Sequence, residues 1–171
     1  MKHIPTLTLT ALAAAATAQT APAPAAKQEL SYNRVIVQTI TGSDAANGLA
    51  ASAQAKLGHG LYVSATTFDT DEGNDSVATL GYAHTLPAVA GIAADLNIEI
   101  GAESIGVGLR ALVASGLEIG VSYTEEDQTT QTTGVSASYS LGQFVKGLTI
   151  NANYLDTEGS QATLIGLGYN F

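Results

Sequence analysis

Apolar and polar side chains alternate residue by residue through most of the chain after residue 30. Leu96, Ile98 and Ile100 share one side of an extended chain, and the residues between them share the other. The same alternation recurs in "LEIGVSYT" at 117–124, "VSASYSL" at 135–141 and "LTINANY" at 148–154. A period of two belongs to β-strands that bury one face. The sequence therefore predicts an all-β fold.

Turn signals divide this region into about ten segments of roughly ten residues, the length of a tilted strand that crosses a bilayer. The apolar register changes parity between Ala102 and Ile105, which predicts a turn at Glu103-Ser104 because a regular strand keeps its parity. Parity does not change at Ser115-Gly116, so eight longer strands remain an alternative. The ten segments lie near residues 30–41, 48–57, 60–69, 75–85, 95–103, 105–114, 116–125, 131–141, 147–156 and 161–171.

The polar face of these segments carries small residues. A soluble protein normally places lysine, glutamate and arginine on its solvent face, whereas only 12% of this chain is charged. A closed, antiparallel, up-and-down transmembrane barrel of about ten strands is therefore favoured over a soluble two-sheet sandwich. The small residues assigned to the interior are Gly106, Gly108, Gly120, Ser122, Gly134, Ser136, Ser138, Ser140, Gly166 and Gly168.

The N-terminus has the pattern of an export signal. Lys2 precedes an apolar stretch at 7–16, and Ala16-Thr17-Ala18 forms a small-residue cleavage site. We therefore expect a signal peptide at 1–18 that is cleaved on export, an Ala/Pro-rich periplasmic spacer at 19–29 and the barrel at 30–171. The absence of cysteine excludes disulfides and thiolate metal sites.

The last strand alternates to the final residue through Thr163, Ile165, Leu167, Tyr169 and Phe171. With the signal peptide and the amphipathic strands, this ending resembles small bacterial outer-membrane barrels of the opacity-protein and OmpA-like kind, and porin-like barrels generally. The resemblance implies a location in the outer membrane and contact with its lipid. It also implies that the barrel assembly machinery binds Tyr169 and Phe171 as an assembly signal. Tyr82 and Tyr139 would join them in an aromatic belt at the periplasmic interface.

Acidic residues gather in alternate turns. If the chain begins and ends in the periplasm, the turns after odd-numbered strands are extracellular, and the opposite turns contain no acidic residue. We call the acidic set the acidic rim. It holds eleven of the 15 acidic residues of the chain: Asp44, Asp69, Asp71, Glu72, Asp75, Glu103, Glu125, Glu126, Asp127, Asp156 and Glu158.

The acidic rim suggests partners and excludes others. The spacing of Asp69, Asp71 and Asp75 is typical of calcium ligands, so divalent cations are candidate partners. A solvated hairpin tip is the simpler interpretation, because calcium requires six or more oxygen ligands. The net charge of -9 argues against a nucleic-acid partner.

A second set of charges is predicted inside the barrel, where charged groups require partners. We call Arg34, Lys56, Asp95, Glu99, Arg110 and Glu118 the lumen charges. Pairing across the hairpin at 103–104 predicts that Arg110 lies opposite or diagonal to Glu99. An ion pair with a structural role is the favoured interpretation, and a role in gating or selectivity is the alternative.

Three classes of function stay open at this point. Small inward residues favour a narrow, passive, cation-preferring channel, and acidic loops on a rigid scaffold favour a closed surface anchor or adhesin. Bulky inward residues weaken the channel hypothesis, because narrow barrels are often filled; they are Arg34, Gln38, Gln54, Lys56, Tyr62 and Phe68. An outer-membrane enzyme is the remote alternative, because His59 and His84 are predicted far from the acidic loops. We therefore predict no catalytic residue, metal or cofactor.

Overall fold

The alternating segments form ten antiparallel strands joined mostly by short turns. A computed structural model describes residues 30–42 and 47–171 of the protein. Neighbouring strands pair in chain order, and β10 pairs with β1, so the sheet closes into a barrel. The strands are β1 (Arg34–Gly42), β2 (Gly48–Gly58), β3 (Leu61–Thr70), β4 (Gly73–Thr85), β5 (Ala93–Gly101), β6 (Ser104–Ala114), β7 (Leu117–Glu126), β8 (Thr130–Ser140), β9 (Leu148–Thr157) and β10 (Ser160–Asn170).

Both uncertain strand boundaries are turns. β5 ends at Gly101 and β6 begins at Ser104, so the change of parity marks a hairpin. At the other boundary, Gly116 has a φ of 78°, a left-handed conformation that favours glycine. The Ser140 N–H donates to its carbonyl oxygen at 2.7 Å. The prediction of ten strands is confirmed, and the alternative of eight is wrong.

Some predicted features lie outside the described residues. These are the signal peptide at 1–18, the spacer at 19–29 and Asp44. Within residues 30–42 and 47–171, no helix is long and apolar enough to cross a membrane.

The barrel carries its apolar side chains on the outside. Val37, Ile100 and Leu167 point outward and are 52%, 58% and 56% exposed. Polar side chains such as Gln38 and Asn151 point inward and are buried. A soluble domain has the opposite arrangement, since large exposed apolar surfaces mark contact with a membrane or a partner. The exterior therefore suits lipid.

The predicted aromatic belt lies on the outer surface at one end of the barrel. Tyr82, Tyr139, Tyr169 and Phe171 are between 45% and 68% exposed. Each tyrosine is paired across the ladder with a leucine. Rings at this level suit the boundary between lipid and water.

Tight packing closes the ring between β1 and β10. Gln38 on β1 faces Gly166 on β10. A Cβ atom on Gly166 would collide with the Val37 carbonyl oxygen and the Gln38 Cα atom. A small apolar cluster of Ile40, Ala50 and Leu164 lies inside the barrel beside this seam. The close approach of the two backbones thus requires glycine at 166.

Gly166→Ala is expected to destabilise the barrel, because the added methyl group forces the β1 backbone away from β10. An overpacked site of this kind costs about 1–3 kcal/mol of unfolding free energy. Urea unfolding of the refolded protein in detergent, followed by gel mobility, measures the loss. Gly106→Ala is the matched control, since its nearest neighbour is the Thr124 hydroxyl at 3.1 Å, a side chain that can move. Equal losses in the two variants would contradict the seam argument.

Candidate functional site

Charge is separated along the barrel axis. The turns at 71–72, 102–103, 127–129 and 158–159 share one end of the barrel, and those at 59–60, 86–92, 115–116 and 141–147 share the other. Except for Asp44, the acidic rim lies at or next to the first set of turns. The described lysines and arginines, namely Arg34, Lys56, Arg110 and Lys146, lie toward the opposite end. We call the two ends the acidic mouth and the basic end.

Near the basic end, an ion-paired group crosses the lumen. Arg110 on β6 contacts Glu118 on β7, with 2.7 Å between Nη2 and Oε1. Arg34 on β1 reaches the same Oε1 atom with its Nη1 at 3.4 Å. Because β1 and β7 lie on nearly opposite walls of the ring, this group spans the interior. We call these three residues the charged layer.

The predicted pairing of Arg110 with Glu99 is wrong. The hairpin register places Asp95 opposite Arg110 and Gly106 opposite Glu99. Four residues along a strand correspond to about 13 Å, which puts Glu99 beyond reach of that register position. Glu99 instead accepts a hydrogen bond from the Tyr62 hydroxyl at 2.7 Å. The sequence correctly placed both charges inside the barrel and misjudged their partners.

Residues 30–33 enter the lumen instead of extending the first strand. The predicted start of β1 at residue 30 is wrong, because the ladder begins at Arg34. The Asn33 side-chain oxygen accepts the Lys56 N–H at 2.8 Å, and its carbonyl oxygen accepts the Phe171 N–H at 3.1 Å. These bonds hold the segment across the basic end. We call residues 30–33 the N-terminal segment.

Tyr32 is the centre of this segment. Its side chain is 6% exposed, and its ring centroid lies 4.7 Å from that of Tyr62. The Arg110 Cζ atom lies 4.5 Å from the Tyr32 ring centroid, a cation–π contact. Arg110 also donates from Nη2 to the Ser31 carbonyl oxygen at 3.0 Å. Burial raises the pKa of the Tyr32 hydroxyl to about 12, so the ring is neutral at physiological pH.

Between the charged layer and the acidic mouth, the two halves of the lumen differ. The wall formed by β6–β8 presents glycine and serine, and inward-facing Ser122 is exposed midway along β7. The facing wall carries larger side chains, including Gln38 and Phe68. Asn153 donates to the Gln38 side-chain oxygen at 3.0 Å and holds it against the wall. The inner wall along β7 is therefore accessible to solvent at the middle of the barrel.

Beyond the charged layer, a cavity of about 420 Å³ opens at the basic end. Tyr32 and Asp95 line it, together with Lys56, His59 and His84. Both histidines are thus remote from the acidic mouth, as expected from the sequence. No hydrogen bond between either histidine and a carboxylate is found in the described part of the chain.

The acidic rim does not form a metal cage in the described part of the chain. Asp69 points outward from β3, whereas Asp75 lies opposite the inward-facing Phe68. The two carboxylates therefore lie on different faces of the hairpin. No group of three or more histidine, aspartate or glutamate side chains within 30–42 and 47–171 could hold a metal ion.

A ring of ten strands with an apolar exterior and a polar, charged interior defines a small transmembrane β-barrel. The sequence matches no protein-family profile and no curated protein sequence. The chain is similar to the solved structure of the KdgM porin, with 11% identity, a TM-score of 0.50, and coverage of 81% of this chain and 99% of that one.

A second similar structure is the outer membrane protein Omp33 of Acinetobacter baumannii. Its identity is 11% and its TM-score 0.47, with 84% of this chain and 100% of that chain covered. The likeness to the KdgM porin shows a shared fold. It does not specify the opacity-protein and OmpA-like family that the sequence resembles.

Glu118→Gln is expected to destabilise the barrel, because Arg34 and Arg110 would lose the carboxylate that they share. Removing one partner of a buried ion pair costs about 3 kcal/mol of unfolding free energy. Urea unfolding of the refolded barrel tests this. Glu126→Gln, on the same strand but exposed at the acidic mouth, is the control and should change stability little. A loss no larger than that of the control would mean that the charged layer does not stabilise the fold.

Proposed function

We propose that the protein is a narrow, passive, cation-preferring channel in the bacterial outer membrane. The observation that carries the proposal is the small-residue wall of β6–β8, where inward-facing Ser122 is exposed to water at mid-barrel. A barrel that served only as a scaffold would gain stability by filling this space. The shared fold with a protein described as a porin supports the same function.

The acidic rim supports the preference for cations. Carboxylates arranged around a narrow mouth with low-dielectric walls focus a negative potential and concentrate cations there. The lumen charges do not oppose this potential, since three basic residues (Arg34, Lys56 and Arg110) balance three acidic ones (Asp95, Glu99 and Glu118). The acidic mouth is therefore the dominant charge that an entering ion meets.

The charged layer limits the size of the solute. Arg34 and Glu118 reach each other from nearly opposite walls, and Tyr32 fills the space beside Arg110. Only small ions and water would pass such a level, so the expected conductance is low. The same observation favours the second candidate, a closed surface anchor or adhesin with acidic loops. Its loops are short, and few residues would project beyond the membrane.

The first test of the function is electrical. In planar bilayers, the refolded protein should conduct, and its reversal potential in a salt gradient should show cation preference. Replacing Asp69, Asp71, Glu72 and Asp75 by their amides should weaken the preference at low salt and have little effect at high salt. The reason is that the Debye length contracts from about 30 Å at 0.01 M to about 3 Å at 1 M.

The electrical test has one control variant and two results that would contradict the proposal. Lys146→Gln, at the basic end, should leave the preference unchanged. Anion preference, or a cation preference that ignores salt, would show that the acidic rim does not govern permeation. No conductance at all would favour the closed anchor.

The second test concerns location. The mature chain should fractionate with outer membranes and shift its gel mobility on boiling, because closed barrels resist detergent until heated. N-terminal sequencing should find Gln19 as the first residue if the predicted signal peptide is removed. Recovery as a soluble periplasmic protein would contradict the proposal.

A further inference from the structure

The barrel closes without the N-terminal segment. The ladders of β1 with β2 and with β10 both begin at Arg34, so residues 30–33 add no strand. Tyr32 is nevertheless among the most buried side chains that the structure describes. The N-terminal segment thus occupies the interior of the barrel at the level of the charged layer, although it is not part of the sheet.

Tyr32 lies where it can obstruct the lumen. Its ring contacts Tyr62 on β3 and lies under the guanidinium of Arg110 on β6. Arg110 in turn holds Glu118, which binds Arg34 from β1. The ring therefore fills space that the charged layer leaves between these walls. On the other side of the layer, it lines the cavity at the basic end.

The neighbouring wall is shaped to receive these rings. A Cβ atom on Gly81 of β4 would collide with the Tyr62 ring, so glycine there lets that ring lie flat against the sheet. Tyr62 is then held by its hydrogen bond to Glu99 at 2.7 Å. This fixed ring provides the surface on which Tyr32 packs.

We propose that the N-terminal segment is a tethered plug and that Tyr32 sets how much current passes the charged layer. This inference rests on the proposed channel function. Tyr62 and the charged layer belong to the barrel wall, whereas Tyr32 is carried by a short segment outside the sheet and can leave without breaking the strand ladders.

The contacts of Tyr32 suit a plug that can be withdrawn. Its ring is held by packing against Tyr62 and by the cation–π contact with Arg110, which also donates to the Ser31 carbonyl oxygen at 3.0 Å, and none of these contacts belongs to a strand ladder. Asn33 anchors the base of the segment to Lys56 and Phe171 and keeps the ring close to its site after withdrawal.

The test exploits the absence of cysteine from the chain. Tyr32→Cys in the full-length protein should raise single-channel conductance about twofold or more, because it widens the narrowest cross-section. A bulky thiol-reactive reagent should then return the conductance to the wild-type value or below. Tyr32→Phe, which keeps the ring, should behave like the wild type. Tyr154→Cys is the matched control, because this tyrosine points outward from β9 and is 41% exposed.

The outcomes separate this inference from the proposed function. One result is that the wild type conducts, and that Tyr32→Cys has the same conductance and still shifts its gel mobility on boiling. This result would overturn the plug and leave the channel function intact. An equal conductance rise in Tyr154→Cys would also overturn it. Absence of conductance in both the wild type and Tyr32→Cys would overturn the channel and the plug together.

Discussion

The pairing of β1 with β10 is the constraint on which the rest of the structure depends. In hydrocarbon, a strand edge with unpaired N–H and C=O groups costs several kcal/mol per group, so a sheet must close on itself. Closure joins Arg34 to Asn170 at one end of the seam and Gly42 to Ala162 at the other. The side chains that enter the resulting tube must share a narrow space, and for this reason glycine recurs on its inner wall.

The second constraint is the cost of charge in that space. Arg34 and Arg110 are both withdrawn from bulk water, and each depends on the single Oε1 atom of Glu118. Because both arginines bind one carboxylate, side chains from β1, β6 and β7 are held together around it. This arrangement also places an ion-paired group at one level near the basic end, whereas the wall of β6–β8 beyond that level presents glycine and serine. The lumen is thus narrower at the charged layer than beside the small-residue wall of β6–β8.

The alternation of side chains and the positions of the acidic residues were enough to predict the strands, the two faces of each strand and the acidic mouth. Alternation of side chains is a property of neighbouring residues, and the change of parity between Ala102 and Ile105 was enough to locate a turn. The partners inside the lumen depend on distant contacts. Arg34 and Glu118 are 84 residues apart, and no local pattern relates them.

The N-terminal segment escaped prediction for a related reason. Tyr32 continues the inward parity of Arg34, so the alternation shows no break where the strand actually begins. What ends the ladder is the side chain of Asn33, which takes a backbone N–H of β2 as its partner. An asparagine at that position is compatible with a strand or a turn, and only the closed ring shows which of the two it forms.

The separation of charge along the axis makes the two openings electrically unequal. Antiparallel strands contribute little net dipole, because their directions alternate. The side chains therefore determine the axial field, with carboxylates at one opening and the lysines and arginines of the described residues toward the other. In the proposed channel, an ion entering from one side would meet these charges in the opposite order from an ion entering from the other side, so currents of opposite direction would encounter different barriers. If the barrel conducts as proposed, it would therefore rectify, and the sign of the rectification would report its orientation in the membrane.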